Sequence, residues 1–292
     1  MTMESACAVM VTYHPGARTL ENIPRVLDQV RALVVVDNGS SADGISALRT
    51  ASQNLGYQLI ENGKNLGIAE ALNQGVRWAK SMSYPWVILF DQDSTITDGF
   101  MSSMFAAWES HPSRERVCSL HPRYVDPETG IEPEVRRARD GGPIMSLTSG
   151  ALMTAWIFDR IGYFASEYFI DSVDFEYCFR IRAAGYLIAD SRQAVLLHAA
   201  GYAKRTVSFL GFSFRPTHHS AMRRYYMSRN RLVLYRKYFR VFPGWVLQSM
   251  YDSLRETIKC FVAEQDRVPK FRSFLLGTWD GLTGRMGKRE GL

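Results

Sequence analysis

Strand and helix alternate four times within the first ninety or so residues, which restricts the chain to a mostly parallel sheet wrapped by helices. Cys7 to Tyr13 reads as a first strand, stopped by His14-Pro15-Gly16, with a helix from about Thr19 to Gln29. Leu33 to Val36 is a second strand closed by Asp37-Asn38-Gly39-Ser40, and a helix over Gly44 to Asn54 leads to a strand at Tyr57 to Ile60. After Asn62-Gly63-Lys64-Asn65-Leu66-Gly67, a helix sets Ile68, Leu72, Val76 and Ala79 on one face. Trp86 to Phe90 follows Pro85 as an all-apolar run, the signature of a buried central strand.

That last strand runs into Asp91-Gln92-Asp93-Ser94. Two carboxylates at the end of a dry strand ask for a cation, because unpaired buried charge is expensive. Ligands of open α/β sheets gather outside the carboxyl ends of the strands, where Thr12-Tyr13, Asp37-Asn38 and Asp91-Asp93 all fall. A divalent metal neutralising a phosphate-bearing substrate fits there; a solvated turn capped by Asp91 or Asp93 is the plainer account. Neither GxGxxG nor GxxxxGK[ST] occurs, so dinucleotide and P-loop chemistry are not announced.

Residues 111–143, rich in Pro, Arg, Asp and Gly, read as loop with short strands at most, and Thr148-Ser149-Gly150-Ala151 lies in a mixed stretch. Phe169 to Arg180 opens a helix ending at Gly185, with Asp171, Asp174 and Glu176 beside Phe169, Ile170, Val173 and Phe175. Apolar surroundings raise a carboxyl pKa, which suits a general base. Capping by Asp171 and a Glu176–Arg180 pair would account for the same acids structurally. Ala194 to Leu197 is a short strand ending on His198, a second candidate metal ligand.

Tyr225-Tyr226-Met227-Ser228-Arg229-Asn230-Arg231 starts a helix whose aromatic and arginine content suits a diphosphate. Beyond Pro243, the apolar residues Trp245, Val246, Met250, Leu254, Ile258 and Phe261 recur at helical spacing. Such a stripe packs on the sheet domain, on a second subunit, or into a membrane interface. Charge supports an anionic partner for this end: residues 201–292 hold 18 Lys/Arg against 6 Asp/Glu, whereas residues 1–200 hold 17 against 23. Cys7, Cys118, Cys178 and Cys260 form no CxxC pair, so neither a disulfide framework nor a zinc site is expected. With no signal-peptide pattern and no apolar run of roughly 18 residues, the expectation is a cytoplasmic protein, at most peripheral at the inner face of the membrane.

In their order, these segments resemble glycosyltransferase family 2 with the GT-A fold, and within it the bacterial rhamnosyltransferase branch. The resemblance rests on Val11-Thr12-Tyr13, Val36-Asp37-Asn38-Gly39-Ser40, Asn65-Leu66-Gly67-Ile68-Ala69, Phe90-Asp91-Gln92-Asp93-Ser94, Asp171-Ser172-Val173-Asp174-Phe175-Glu176, Leu197-His198-Ala199-Ala200-Gly201 and Tyr225-Tyr226-Met227-Ser228-Arg229-Asn230. It implies a GT-A catalytic domain over residues 1–205 and a basic helical region over 206–292 that completes the site. The implied donor is a nucleotide sugar, dTDP-β-L-rhamnose first, held by Thr12, Tyr13, Asp37, Asn38, Gly67, Asp91, Tyr226 and Arg229. Asp93 and His198 would bind Mg²⁺ or Mn²⁺, and Asp174, with Asp171 as the alternative, would be the base of an inverting displacement. The implied acceptor is a cell-surface glycan precursor on a polyprenyl diphosphate. A UDP-hexose donor is the nearest competing expectation. A nucleotidyltransferase and a non-enzymatic module for membrane or nucleic acid are more distant ones, and His14-Pro15-Gly16 fits the nucleotidyltransferase poorly.

Overall fold

The structure is a computed structural model that describes residues 5–198, 207–209, 212–214, 219–264 and 266–291, with backbone only for 207–209, 212–214 and 261–263. Ala199, Ala200 and Gly201 of the His198 motif, and the expected boundary at 205/206, lie outside the described residues. The chain forms two compact units, one of residues 1–169 with 173–199, the other of residues 170–172 with 200–292.

The first unit opens with β1 (Ala6–Thr12), α1 (Ala17–Leu27), β2 (Ala32–Asp37), α2 (Ala42–Leu55), β3 (Gln58–Glu61), α3 (Ile68–Ser81) and β4 (Trp86–Asp91). It continues with β5 (Thr95–Ile96), α4 (Phe100–Glu109), β6 (Val117–Val125), β7 (Leu152–Thr154), α5 (Ile157–Ile161), α6 (Val173–Ala183) and β8 (Leu187–Leu197). One sheet takes the order β3-β2-β1-β4-β7-β6-β8-β5. Its β3-β2-β1-β4 half is parallel, and β7 then joins antiparallel to both β4 and β6. β1, β2 and β4 are buried almost throughout, as strands covered on both faces must be. Helix α3 lies on this half so closely that a Cβ on Gly75 would meet Val9 Cγ1 at 2.2 Å.

The stretch 111–143, expected as loop with short strands at most, instead holds β6, nine residues long and buried from Val117 to Pro122. It escaped notice because Pro122 lacks an N–H for the ladder, and the pairing with β8 shifts register between His121 and Arg123. The parallel alignment of β1 with its neighbours sets Thr12 beside Asp37 and Val11 beside Asp91. The polar ends of three strands therefore reach one edge of the sheet.

The second unit contains β9 (Val207–Phe209) paired with β10 (Phe212–Phe214), then α7 (Ala221–Tyr238), α8 (Pro243–Ala263) and α9 (Arg267–Thr283). Ser220 caps α7 through its side chain, accepting from Arg223 N–H at 3.2 Å. α7 and α9 approach so closely that a Cβ on Gly277 would lie 2.2 Å from the Tyr225 carbonyl oxygen. On α8, Trp245 and Val246 are buried whereas Leu247, Met250, Leu254 and Ile258 are exposed. α9 exposes a second apolar stripe, Val268, Phe271, Leu275, Trp279 and Leu282. No helix among the described residues is long and apolar enough to cross a membrane.

Candidate active site

The β1 and β2 ends are locked by a carboxylate in a tight turn. Asp37, fully buried, accepts from Thr12 Oγ1 at 3.1 Å, from the Ser40 hydroxyl, and from the N–H groups of Gly39 and Ser40 at 3.1 and 2.9 Å. Gly39 has φ of +92°, and a Cβ there would collide with the Lys64 backbone at 2.5 Å. Asn38 staples the next loop: its Oδ1 accepts from Leu66 N–H at 3.0 Å and from Asn62 Nδ2 at 3.3 Å. Gly67 N–H donates to Asn65 Oδ1 at 2.9 Å. Thr12, Asp37, Asn38 and Gly67 thus belong to one bonded loop system. Tyr13 is 46% exposed, while its backbone exchanges two hydrogen bonds with the Gln92 amide, at 2.9 and 3.0 Å.

Gln92 lies between the two acids of the β4 end, and its role escaped the sequence reading. Beyond Ser94, β5 pairs antiparallel with β8, Thr95 opposite Leu197, and this brings His198 back beside the acids. His198 Nδ1 is 3.9 Å from Asp93 Oδ1. Asp91, Asp93 and His198 each offer one ligand atom, all within 4.8 Å of one another. Two carboxylate oxygens and one imidazole nitrogen form a donor set suited to Mg²⁺- or Mn²⁺-type ions, more oxygen-rich than a zinc site. Asp93 is 53% exposed on its side chain, so the group opens to solvent.

Asp174 sits in the first turn of α6, and its Oδ1 accepts from the Phe175 N–H at 2.9 Å. Glu176 is spent on Arg180, at 3.2 Å through Nε and 2.5 Å through Nη2, as the four-residue spacing suggests. Asp171 belongs to the 170–172 segment of the second unit. It has φ of +66°, between Phe169 at +65° and Ser172 at +61°, and Oδ2 is buried without a hydrogen-bond partner among the described residues. Burial pushes its carboxyl pKa up against the opposing pull of Arg231 and Arg223.

On α7, Arg229 is 1% exposed. Its Nε donates to Asn230 Oδ1 at 2.9 Å and its Nη1 to the Gly287 carbonyl at 2.5 Å. The guanidinium also lies over the Tyr225 and Tyr226 rings, 5.5 and 4.8 Å from their centroids. Tyr226 Oη accepts from Arg289 N–H at 3.0 Å. These partners are all residues of the second unit.

Comparison with known proteins fits this geometry. The model of the family "Glycosyl transferase family 2" matches residues 7–152. The dTDP-rhamnosyl transferase RfbF of Shigella flexneri is 28% identical over 296 residues, covering 96% of both chains. Among solved structures, the mannosyltransferase PcManGT of Pyrobaculum calidifontis, in complex with GDP-Man and Mn²⁺, superposes with a TM-score of 0.57 at 15% identity, covering 96% of this chain and 88% of that one. GalNAc-T7 with UDP, GalNAc and Mn²⁺ gives a TM-score of 0.61 at 13% identity, covering 96% of this chain and 57% of that one. Residues 1–349 of TarS from S. aureus, in complex with UDP-GlcNAc, give 0.55 at 12% identity, covering 98% of this chain and 73% of that one. The chain belongs to glycosyl transferase family 2 and is a glycosyltransferase with the GT-A fold.

Proposed function

We propose that the protein transfers L-rhamnose from dTDP-β-L-rhamnose to a hydroxyl of a cell-surface glycan precursor, with inversion at the sugar carbon. The observation that carries the reading is the Asp91–Asp93–His198 group at the end of β4, in a chain similar to a dTDP-rhamnosyl transferase from end to end. Thr12, Tyr13, Asp37, Asn38 and Gly67 hold the nucleoside, and Asp91 lies toward its ribose. Asp93 and His198 hold Mg²⁺ or Mn²⁺, which when bound supplies positive charge against the departing diphosphate. Asp174 takes the proton of the acceptor hydroxyl as that oxygen attacks; Asp171 is the alternative base. Tyr226 and Arg229 complete the diphosphate contacts in this scheme.

The acceptor we infer is a glycan carried on a polyprenyl diphosphate, met by the region 206–292. Support comes from the excess of Lys/Arg beyond residue 200 and from the exposed apolar stripes of α8 and α9, which suit an anionic bilayer surface. The deciding experiment offers dTDP-rhamnose, UDP-GlcNAc and UDP-galactose in parallel and measures nucleotide release with Mn²⁺, with Mg²⁺ and with EDTA. Turnover of dTDP-rhamnose that EDTA stops and Mn²⁺ or Mg²⁺ restores is the expected result. Turnover of a UDP-sugar alone replaces the donor, and unchanged turnover in EDTA removes the metal.

A further inference from the structure

Thr148-Ser149-Gly150-Ala151 runs alongside the end of β4. Leu89 N–H donates to the Ala151 carbonyl at 3.1 Å, and Gly150 N–H donates back to the Leu89 carbonyl at 2.7 Å. Backbone pairing then stops, because Gly150, with φ of +81°, turns the chain so tightly that a Cβ would lie 2.7 Å from Pro122 Cγ. A side chain takes over the next position: Asp91 N–H donates to Ser149 Oγ at 3.1 Å. Ser149 Oγ lies 2.8 Å from Ser94 Oγ, and Ser94 Oγ lies 2.9 Å from His198 Nδ1. Both serines are buried, at 0% and 1% exposure. An unbroken hydrogen-bonded path therefore joins the backbone of one acid to the ring of the histidine.

We propose that Ser94 and Ser149 are positioning residues that preorganise the Asp91–Asp93–His198 group for a divalent cation. An imidazole at the mouth of a strand is free to turn, and orienting it at the moment of binding weakens the metal. Partners behind a ligating histidine fix its ring and its tautomer. Here the partners also reach the Asp91 backbone, so one pair of hydroxyls sets the ring and the acid-bearing turn together. Asp91 N–H occupies one acceptor position of Ser149. Nδ1–H donating to Ser94, and Ser94 O–H donating to Ser149, is then a consistent assignment of the network.

The inference rests on the metal reading of this site, and the test separates the two. Mn²⁺ alone is titrated into wild type, Asp93→Ala, Ser94→Ala, Ser94→Thr and Ser149→Ala, with free Mn²⁺ followed by electron paramagnetic resonance and folding checked by circular dichroism. Asp93→Ala should abolish binding. Ser94→Ala and Ser149→Ala should weaken it about 10-fold or more, while Ser94→Thr, which keeps the hydroxyl, stays within about twofold of wild type. Loss of binding in Asp93→Ala with wild-type affinity in both alanine variants overturns the positioning role alone. Wild-type affinity in Asp93→Ala, or no binding by wild type, overturns the metal reading itself. If Ser149→Ala does not fold, the contrast between Ser94→Ala and Ser94→Thr decides.

Discussion

Asn230 holds the backbone of Asp171: its Nδ2 donates to the Asp171 carbonyl at 2.9 Å and to the Ile170 carbonyl at 2.8 Å. The amide is fully buried, and its Oδ1 is oriented by Arg229. Asp171 and Ser172 both have positive φ, a conformation costing of order 1 kcal/mol or more per residue, so the segment needs such a clamp. Asn230→Ala removes these two hydrogen bonds and the one that Arg229 Nε donates to Asn230 Oδ1, which should destabilise the protein by about 2–4 kcal/mol. The urea midpoint measures this; a midpoint equal to wild type would show that the strained segment holds itself.

Asp171→Asn should act in the opposite direction. Burial raises the folded-state pKa of Asp171 above its ordinary value of 3.8. A raised carboxyl pKa favours folding while the group is protonated, and that contribution is lost as pH rises through the folded value. At neutral pH the wild type is therefore less stable than it would be with a side chain that does not titrate, such as Asn. The variant should melt higher than wild type at pH 7, and the gain should shrink toward the ordinary carboxyl pKa. A gain independent of pH would place its cause outside the ionisation.

Asp174→Asn should leave the fold and donor binding intact and lower transfer at least about 100-fold, the scale of a lost general base. Nucleotide affinity and product formation are measured on the same preparation. Asp171→Asn run beside it identifies the base, since only the variant of the true base loses transfer at every pH. Full activity in Asp174→Asn would pass the role to Asp171.

The alternation of strand and helix through Asp91 was legible because apolar periodicity and turn residues carry it locally. Asp37-Asn38-Gly39-Ser40 marked a turn, and the same residues close it. Pairing across distance carries no local pattern. β6 hid behind Pro122, and nothing in Thr148-Ser149-Gly150-Ala151 marks Ser149 as the acceptor of the Asp91 N–H. Arg229 is a further case: its guanidinium lies over the Tyr225 and Tyr226 rings and donates to the Gly287 carbonyl, a partner 58 residues away that no local pattern announces. Sequence names a residue's chemistry, whereas packing decides what that chemistry meets.

Glu264 joins Arg224 and Lys270 in a buried trio, with Nη2 of Arg224 and Nζ of Lys270 each 2.9 Å from one of its carboxylate oxygens. Burial alone would raise its pKa, but the hydrogen bond from Lys270 and the charge of Arg224 outweigh it and hold the group near 2. The folded value lies below the ordinary 4.5, so this carboxylate stabilises the fold above about pH 4.5 and loses that effect as pH falls toward 2. Glu264→Gln leaves two buried cations without their anion and should cost about 3–5 kcal/mol at neutral pH. Urea midpoints of wild type and variant should converge as pH is lowered through that window, because protonation does to the wild type what the substitution has done already. A gap that stays constant from neutral pH down to the lowest pH at which both fold would mean that packing, not charge, carries the trio's contribution.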